Sequence, residues 1–195
     1  YIDKKISIYV FFVIKRKVGN MQIEEILISE SKYPDKLKKI YDPPHKIYVL
    51  GNRRLLYEKG IAIVGAREAT EYGKKVAYNF AKDISSNGIV VISGLAVGID
   101  EYAHIGALHG KTIAVLGSGI DKMYPRKNIG LAREIIRNGG CIISEYPLGT
   151  KPERLHFPQR NRIISGLSDG VVVVEASTKS GALITADFAL EQGKE

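Results

Sequence analysis

The chain has little that would tie it to an oxidising compartment, a bilayer or a nucleotide cofactor. Its 195 residues contain one cysteine, Cys141, so no disulfide framework can form and the composition fits a reducing, intracellular setting. Cys141 lies inside an apolar run and reads as a small buried core residue. The apolar run over residues 6–14 is too short to span a bilayer, and no small-residue cleavage site follows it, so it is a poor signal peptide. There is no internal repeat and no low-complexity tract. A Walker A sequence is missing, which disfavours an NTPase, and so is the Gly-x-Gly-x-x-Gly of dinucleotide binders. In Gly65-Ala66-Arg67-Glu68-Ala69-Thr70, Arg67 stands where a second glycine would admit a pyrophosphate. Gly-x-Ser-x-Gly is absent too, so Ser93 is no nucleophile elbow.

Hydrophobic residues make up 45 % of the chain, the proportion of an ordinary globular domain, and the length suits one domain with a sizeable core. The net charge of +8 is a weak guide, because Lys4, Lys5, Lys15, Arg16 and Lys17 against Asp3 alone put half of it in residues 1–20. That segment begins with Tyr and ends just before Met21, and it is expected to be upstream or non-native sequence. Local clustering then says more than the total. Residues 21–60 form a preamble with a turn at Asp42-Pro43-Pro44 and a short strand over 46–50.

From residue 61 a regular alternation begins. Continuous apolar runs over 61–64, 89–92, 112–116, 141–144 and 171–174 read as strands buried on both faces. Between them lie helical patterns: one capped by Thr70 and ended by Gly88, then 99–108, 129–137, a helix opening at Arg160, and 182–190. Such alternation defines an α/β fold, a Rossmann-like doubly wound, mostly parallel sheet with helices on both faces. A glycine after the last helix, in Gln192-Gly193-Lys194-Glu195, announces a further strand, so the domain of residues 61–195 is expected to be incomplete.

Ligands in such sheets bind beyond the carboxyl ends of the strands. Here those ends are Gly65-Ala66-Arg67, Ser93-Gly94-Leu95-Ala96, Gly117-Ser118-Gly119, Glu145-Tyr146-Pro147 and Glu175-Ala176 leading to Ser180-Gly181-Ala182. Small residues let an anion approach backbone N–H groups, and Arg67, Lys151, Arg154, His156, Arg160 and Arg162 supply positive charge. An extended anion with stackable groups, single-stranded nucleic acid, fits this rim, its bases stacking on Tyr146, Phe157 or an arginine plane. Asp100 and His104 share a helix face and are expected to pack or cap rather than bind a metal. Glu145 and Glu175 at strand ends could be catalytic, but ion pairing with Arg160 or Arg162 weighs more.

Taken together, Ile63-Val64-Gly65-Ala66-Arg67, the run from Ser93 to Asp100 with Ala103-His104, Ile113-Ala114-Val115-Leu116-Gly117, Tyr124-Pro125, Ser144-Glu145-Tyr146-Pro147, Phe157-Pro158-Gln159-Arg160-Asn161-Arg162-Ile163-Ile164 and Ser180-Gly181-Ala182-Leu183-Ile184-Thr185-Ala186 resemble the DNA-processing protein A family (DprA, also called Smf). The resemblance runs from about residue 33 to the end. It implies an extended Rossmann fold in a bacterial cytoplasmic protein that binds and protects single-stranded DNA during natural transformation. It also implies loading of the RecA recombinase, displacement of single-strand-binding protein, a homodimer, no membrane partner, no cofactor and no established enzymatic activity. The family's Gly-(Ser/Thr)-Arg motif falls on Gly65-Ala66-Arg67 and its DNA-contacting lysine on Lys151. The candidate DNA-contacting set is Gly65, Arg67, Ser93, Gly94, Gly117, Lys151, Arg154, Phe157, Arg160, Arg162, Ser180 and Gly181, with Arg67 and Lys151 foremost for direct phosphate contact. Ala66 departs from the pattern and forgoes one hydroxyl donor, worth about 1 kcal/mol. Arg154 stands where some members carry an aromatic. The winged-helix domain of many members has no counterpart in this sequence. A competing reading is a Rossmann enzyme that cleaves nucleoside monophosphates. Its Pro-Gly-Gly-x-Gly-Thr-x-x-Glu motif would align on Ser180 to Ala186, where the acidic residue is missing. A third reading, an adaptor that recruits a recombinase, is compatible with DNA binding.

Overall fold

The computed structural model describes residues 22–178 and 180–195, so the expectation of a non-native leader over residues 1–20 lies outside the described residues. Seven strands form one sheet: β1 (Glu24–Leu27), β2 (Lys46–Gly51), β3 (Gly60–Val64), β4 (Val90–Ser93), β5 (Thr112–Leu116), β6 (Cys141–Ser144) and β7 (Gly170–Val173). The helices are α1 (Asp35–Lys38), α2 (Glu71–Ser86), α3 (Ile99–Gly106), α4 (Ile129–Arg137), α5 (His156–Leu167) and α6 (Gly181–Glu191), with three short 3₁₀ turns. The five strands expected from the apolar runs are all present and parallel to one another, as the doubly wound reading requires. Thr70 caps α2 by accepting from the Gly73 N–H at 3.0 Å, and Gly88 takes a positive φ of 79° just past its end, the left-handed turn that glycine adopts without strain.

The sheet order is β1-β2-β6-β5-β4-β3-β7. The chain therefore winds outward from β3 through β4 and β5 to β6, then returns across the sheet to lay β7 against the free side of β3. β3 and β7 thus flank a topological switch point, where their carboxyl ends diverge and leave a crevice. Alternation along β3 divides its side chains between two cores. Ala62 and Val64 join Ile163, Ile164 and Leu167 of α5 on one face. Ile63 joins Ala77 and Ala81 of α2 and Ile99 and Ala103 of α3 on the other. Cys141 is fully buried in the first of these cores and its burial pushes the thiol pKa up, in keeping with a structural role.

Residues 22–60 are an integral part of the sheet. β2 pairs antiparallel with β6, placing Tyr48 opposite Ser144, and β1 pairs antiparallel with β2. Leu37 and Ile40 share the core with α5, where Gly166 leaves room for them: a Cβ there would lie 2.9 Å from Ile40 Cγ2. Tyr33 Oη donates to the Pro44 carbonyl at 2.7 Å and holds the Asp42-Pro43-Pro44 turn against the same core. The sequence pattern does not reveal β1, because only one of its four residues, Ile26, is buried.

Leu37 tests this integration. It is fully buried, and the Leu37→Ala variant should lose about 2–5 kcal/mol of stability, read as a lower denaturant midpoint. A detachable preamble would leave the midpoint unchanged.

Candidate nucleic-acid interface

The carboxyl rim sorts the expected contact residues into a surface set and a supporting set. Arg67, directly after β3, is exposed. Its guanidinium lies 5.6 Å from the centre of the Phe157 ring, within cation–π range, and no carboxylate among the described residues comes within 4.0 Å of it. Phe157 in turn rests over Gly117, where a Cβ would stand 3.0 Å from the ring, and meets Tyr124 at 5.7 Å between ring centres. Gly117 is therefore glycine to seat an aromatic ring; it is buried and does not present a bare backbone to an anion.

Lys151 and Arg154 are exposed on the loop between β6 and α5, and neither meets a carboxylate within 4.0 Å among the described residues. That loop is pinned over its first half, up to Thr150. Ser144 Oγ donates to the Ser118 carbonyl at 2.7 Å and accepts from the Tyr146 N–H at 3.0 Å. Further on, Gly149 N–H donates to Asp121 Oδ1 at 2.8 Å and Gly119 N–H to the Thr150 carbonyl at 3.0 Å. Lys151 thus projects from a fixed backbone. Tyr146 is less available to a base than its position suggested, since one face already stacks on His156 at 4.1 Å and its hydroxyl donates to Gln159 Oε1 at 3.1 Å.

Arg160 and Arg162 do not open a helix. α5 starts at His156, with Pro158 in its first turn where a missing N–H is harmless, so both arginines lie a turn further in. Both are buried, at 4 % and 8 % exposure. Arg160 Nη1 donates to the Gly94 carbonyl at 2.6 Å and to the Val115 carbonyl. Gly94 is glycine because a Cβ would fall onto that guanidinium. Ser93 is fully enclosed, its hydroxyl donating to the Ile63 carbonyl at 2.6 Å. Arg162 is engaged on all three nitrogens: Nη1 and Nη2 each donate to a Glu145 carboxylate oxygen at 2.7 Å, and Nε reaches Asp42 Oδ2 at 3.0 Å and the Asp42 carbonyl at 2.9 Å. Burial works against its charge, but the bonds to and the field of Glu145, with Asp42, hold its pKa above the usual value. Ser93, Gly94, Gly117 and Arg162, expected among the contact residues, are buried and engaged within the fold. The expected Glu145 pairing is real and belongs to Arg162.

Burial pushes the Arg160 pKa down to about 10, with Asp100 opposing and Arg67 adding to the effect, which leaves the group charged at neutral pH. Asp100 accepts from the Gly94 N–H at 3.0 Å, and its burial raises its pKa against the opposing pull of Arg160 and the surrounding donors. His104 is fully buried and pushed down to about 3 by burial, then by Arg160. Its Nδ1 lies 2.8 Å from Thr112 Oγ1, whose hydroxyl donates to the Val91 carbonyl at 2.8 Å. The imidazole is therefore neutral with its proton on Nδ1. The packing reading of Asp100 and His104 fits this, and no group of three or more His, Cys, Asp or Glu side chains among the described residues is placed to hold a metal.

Glu175 does not meet the arginines. Its carbonyl accepts from the Ala66 N–H at 2.6 Å, and its carboxylate accepts from the Thr70 hydroxyl at 2.9 Å and the Thr70 N–H at 3.1 Å. It covers the first turn of α2 so closely that a Cβ on Gly73 would strike it. That helix start is where a doubly wound domain places a pyrophosphate, so a carboxylate of the protein fills the usual dinucleotide position. The start of α6 is open instead. Gly181 is exposed, with no atom of the described residues within 4 Å of a Cβ added there, and Asn161 Nδ2 donates to its carbonyl at 3.1 Å. Gly65, Arg67, Phe157, Arg160, Ser180 and Gly181 line one cleft of about 580 Å³ at the β3/β7 switch point; Lys151 and Arg154 are not among its lining residues.

The fold and rim define a Rossmann-like domain with a cleft at its switch point and exposed cations along its carboxyl rim. The model for DNA recombination-mediator protein A matches residues 24–195, and the chain belongs to that family. It is 48 % identical over 176 residues to the DNA processing protein DprA of Bacillus subtilis, covering 89 % of this chain and 59 % of that one. The solved structure of DprA from Streptococcus pneumoniae superposes with a TM-score of 0.83 at 40 % identity, over 95 % of this chain and 65 % of that one. DprA from Helicobacter pylori, whose structure is described for its single-stranded DNA binding mode, gives 0.82 at 34 % identity over 91 % and 80 %. The chain thus spans less than two thirds of the first two relatives.

The neutral, buried His104 has a consequence for pH. Its folded pKa lies below the unfolded value of 6.5, so its contribution is fully present above pH 6.5 and is lost as pH falls toward 3, by up to about 1.4 kcal/mol per pH unit. His104→Asn, which keeps a donor near Thr112, should flatten stability against pH in that window, as followed by denaturation at a series of pH values. An unchanged acid limb would contradict the assignment.

Proposed function

We propose that this chain binds single-stranded DNA along its carboxyl rim and acts as a recombination mediator without a catalytic step of its own. The observation that carries this reading is the set of exposed cations Arg67, Lys151 and Arg154, none within 4.0 Å of a carboxylate among the described residues, with Arg67 beside the Phe157 ring. Three cations spread over a rim suit a chain of phosphates better than a compact anion. Membership of a recombination-mediator family and the single-stranded DNA binding described for the Helicobacter pylori protein support it. Within that reading the chain protects incoming DNA in natural transformation and loads the RecA recombinase onto it. It works in the cytoplasm as a homodimer that displaces single-strand-binding protein. No helix of the described residues is long and apolar enough to cross a membrane. The alternative of a nucleoside-monophosphate hydrolase lacks its acid, because Phe188 stands three residues after Thr185, where the Thr-x-x-Glu spacing requires a glutamate.

Binding of a labelled oligonucleotide across a salt series tests this. Wild-type affinity should fall linearly in log–log form, and duplex of equal length should bind less well. Removing both cations in Arg67→Ala/Lys151→Ala should weaken binding for all sequences alike and reduce the salt slope by about 1.4, since each phosphate contact to a single strand contributes about 0.7. Wild-type-like binding by the double variant would overturn the site. Release of free base from nucleoside monophosphates would restore the enzyme reading.

A further inference from the structure

A single strand offers bases as well as phosphates, and cations answer only the phosphates. Tyr146 is poorly placed to take a base, since His156 covers one face and Gln159 holds its hydroxyl. Another ring stands on the same rim. Tyr124, in the turn between β5 and α4, is 47 % exposed. It meets Phe157 at 5.7 Å between ring centres, with the planes tilted by 46°, and Arg67 lies 5.6 Å from the centre of that same Phe157 ring. Tyr124 does not line the cleft at the switch point; its turn follows β5.

A lone exposed aromatic is ordinary on a protein surface. What sets Tyr124 apart is the backbone beneath it. Before it, Ile120 is fully buried and Met123 packs against the same core. Ser118 Oγ donates to the Lys122 carbonyl at 2.9 Å, and the Gly119 N–H donates to the Thr150 carbonyl at 3.0 Å, next to Lys151. After it, the buried Asn128 amide donates to the Leu95 and Ala96 carbonyls at 3.0 and 3.1 Å. The ring is thus presented by a backbone held on both sides, so little freedom remains to be lost when a ligand covers it. The charges around the turn also suit a strand. Arg126 is exposed and has no carboxylate within 4.0 Å among the described residues, whereas Lys127 meets Glu101 at 3.4 Å. The carboxylate of the turn, Asp121, accepts from the Gly149 N–H at 2.8 Å, and Glu153 on the Lys151 loop lies 3.9 Å from His156 Nε2.

We propose that Tyr124 is a base-stacking residue, and that a bound single strand runs past Phe157 and the Lys151 loop onto the turn between β5 and α4. The inference rests on the single-stranded DNA reading and deepens it, naming where a base is held. Every base has a π-face, so this contact adds affinity without selecting a sequence.

Two strands of equal length separate stacking from bracing: oligothymidine, and the same deoxyribose-phosphate chain without bases. Both are tested at low salt, where phosphate contacts alone hold a strand. The chain contains no tryptophan, so Tyr124→Trp places a sole indole at this position. Oligothymidine should quench that indole at saturation, and the abasic strand should leave it unchanged. Tyr124→Leu keeps an apolar side chain beside Phe157 and removes the π-face. It should bind oligothymidine about fivefold or more weakly than wild type and the abasic strand equally well. A residue that merely props Phe157 would weaken both strands together. The proposal is overturned if the indole responds alike to the two strands, or if Tyr124→Leu changes both affinities by the same factor. Tight oligothymidine binding by the unmodified chain would then leave the DNA reading standing, whereas no binding of either strand to that chain would remove the reading and this inference with it.

Discussion

A guanidinium enclosed beneath the carboxyl ends of the sheet organises this protein. Arg160 reaches from α5 to the carbonyl of Gly94, just past β4, and to that of Val115 in β5. Burying an unpaired charge costs several kcal/mol, and carbonyl acceptors recover that only where the backbone is held in place. The requirement propagates outward. Gly94 must lack a side chain, its N–H turns to Asp100, and Ser93 is locked to β3 through the Ile63 carbonyl. Four elements are thus registered around one planar group, and the cleft above inherits its shape from them.

The second arginine of the same helix does a different task. Arg162 joins α5 to the end of β6 through Glu145 and to the proline turn through Asp42. It closes residues 22–60 onto the domain, its guanidinium engaged on all three nitrogens. The net charge of the chain therefore says little about where an anion binds. Among the basic residues of the Lys151–Arg162 stretch, those deepest in the motif are spent on the fold, and those on the loop remain free.

The parallel half of the fold was legible because its strands are buried on both faces and read as unbroken apolar runs; Thr112–Leu116 and Cys141–Ser144 match to the residue. β1 was not legible, since a half-exposed edge strand with one buried residue leaves no periodic trace. The start of α5 was misplaced because a proline inside the first turn looks like a boundary when it is a permitted helix opener. At the site, glycines at strand ends carried a mixed signal. Gly94 and Gly117 are small to admit Arg160 and Phe157, not an anion. Glycine reports a close approach but not the identity of what approaches, so only the structure separates support from contact. Arg67 and Lys151 are exposed on rim loops, where a basic residue has few internal partners to reach.

Glu175 explains why this doubly wound sheet departs from the dinucleotide pattern. In such folds the first helix N-terminus is the strongest anion position, because unpaired N–H groups and the helix dipole converge there. Here the Glu175 carboxylate occupies it and accepts from Thr70. A pyrophosphate approaching that point would meet a fixed negative charge. Attraction for anions is displaced to the rim, onto the open start of α6 and the exposed cations Arg67, Lys151 and Arg154. Those groups are distributed over separate loops and none encloses a compact ligand alone. A ligand that satisfies them together must be anionic at intervals and long enough to run from β3 past Phe157 to the β6 loop, which is the geometry of a polynucleotide strand.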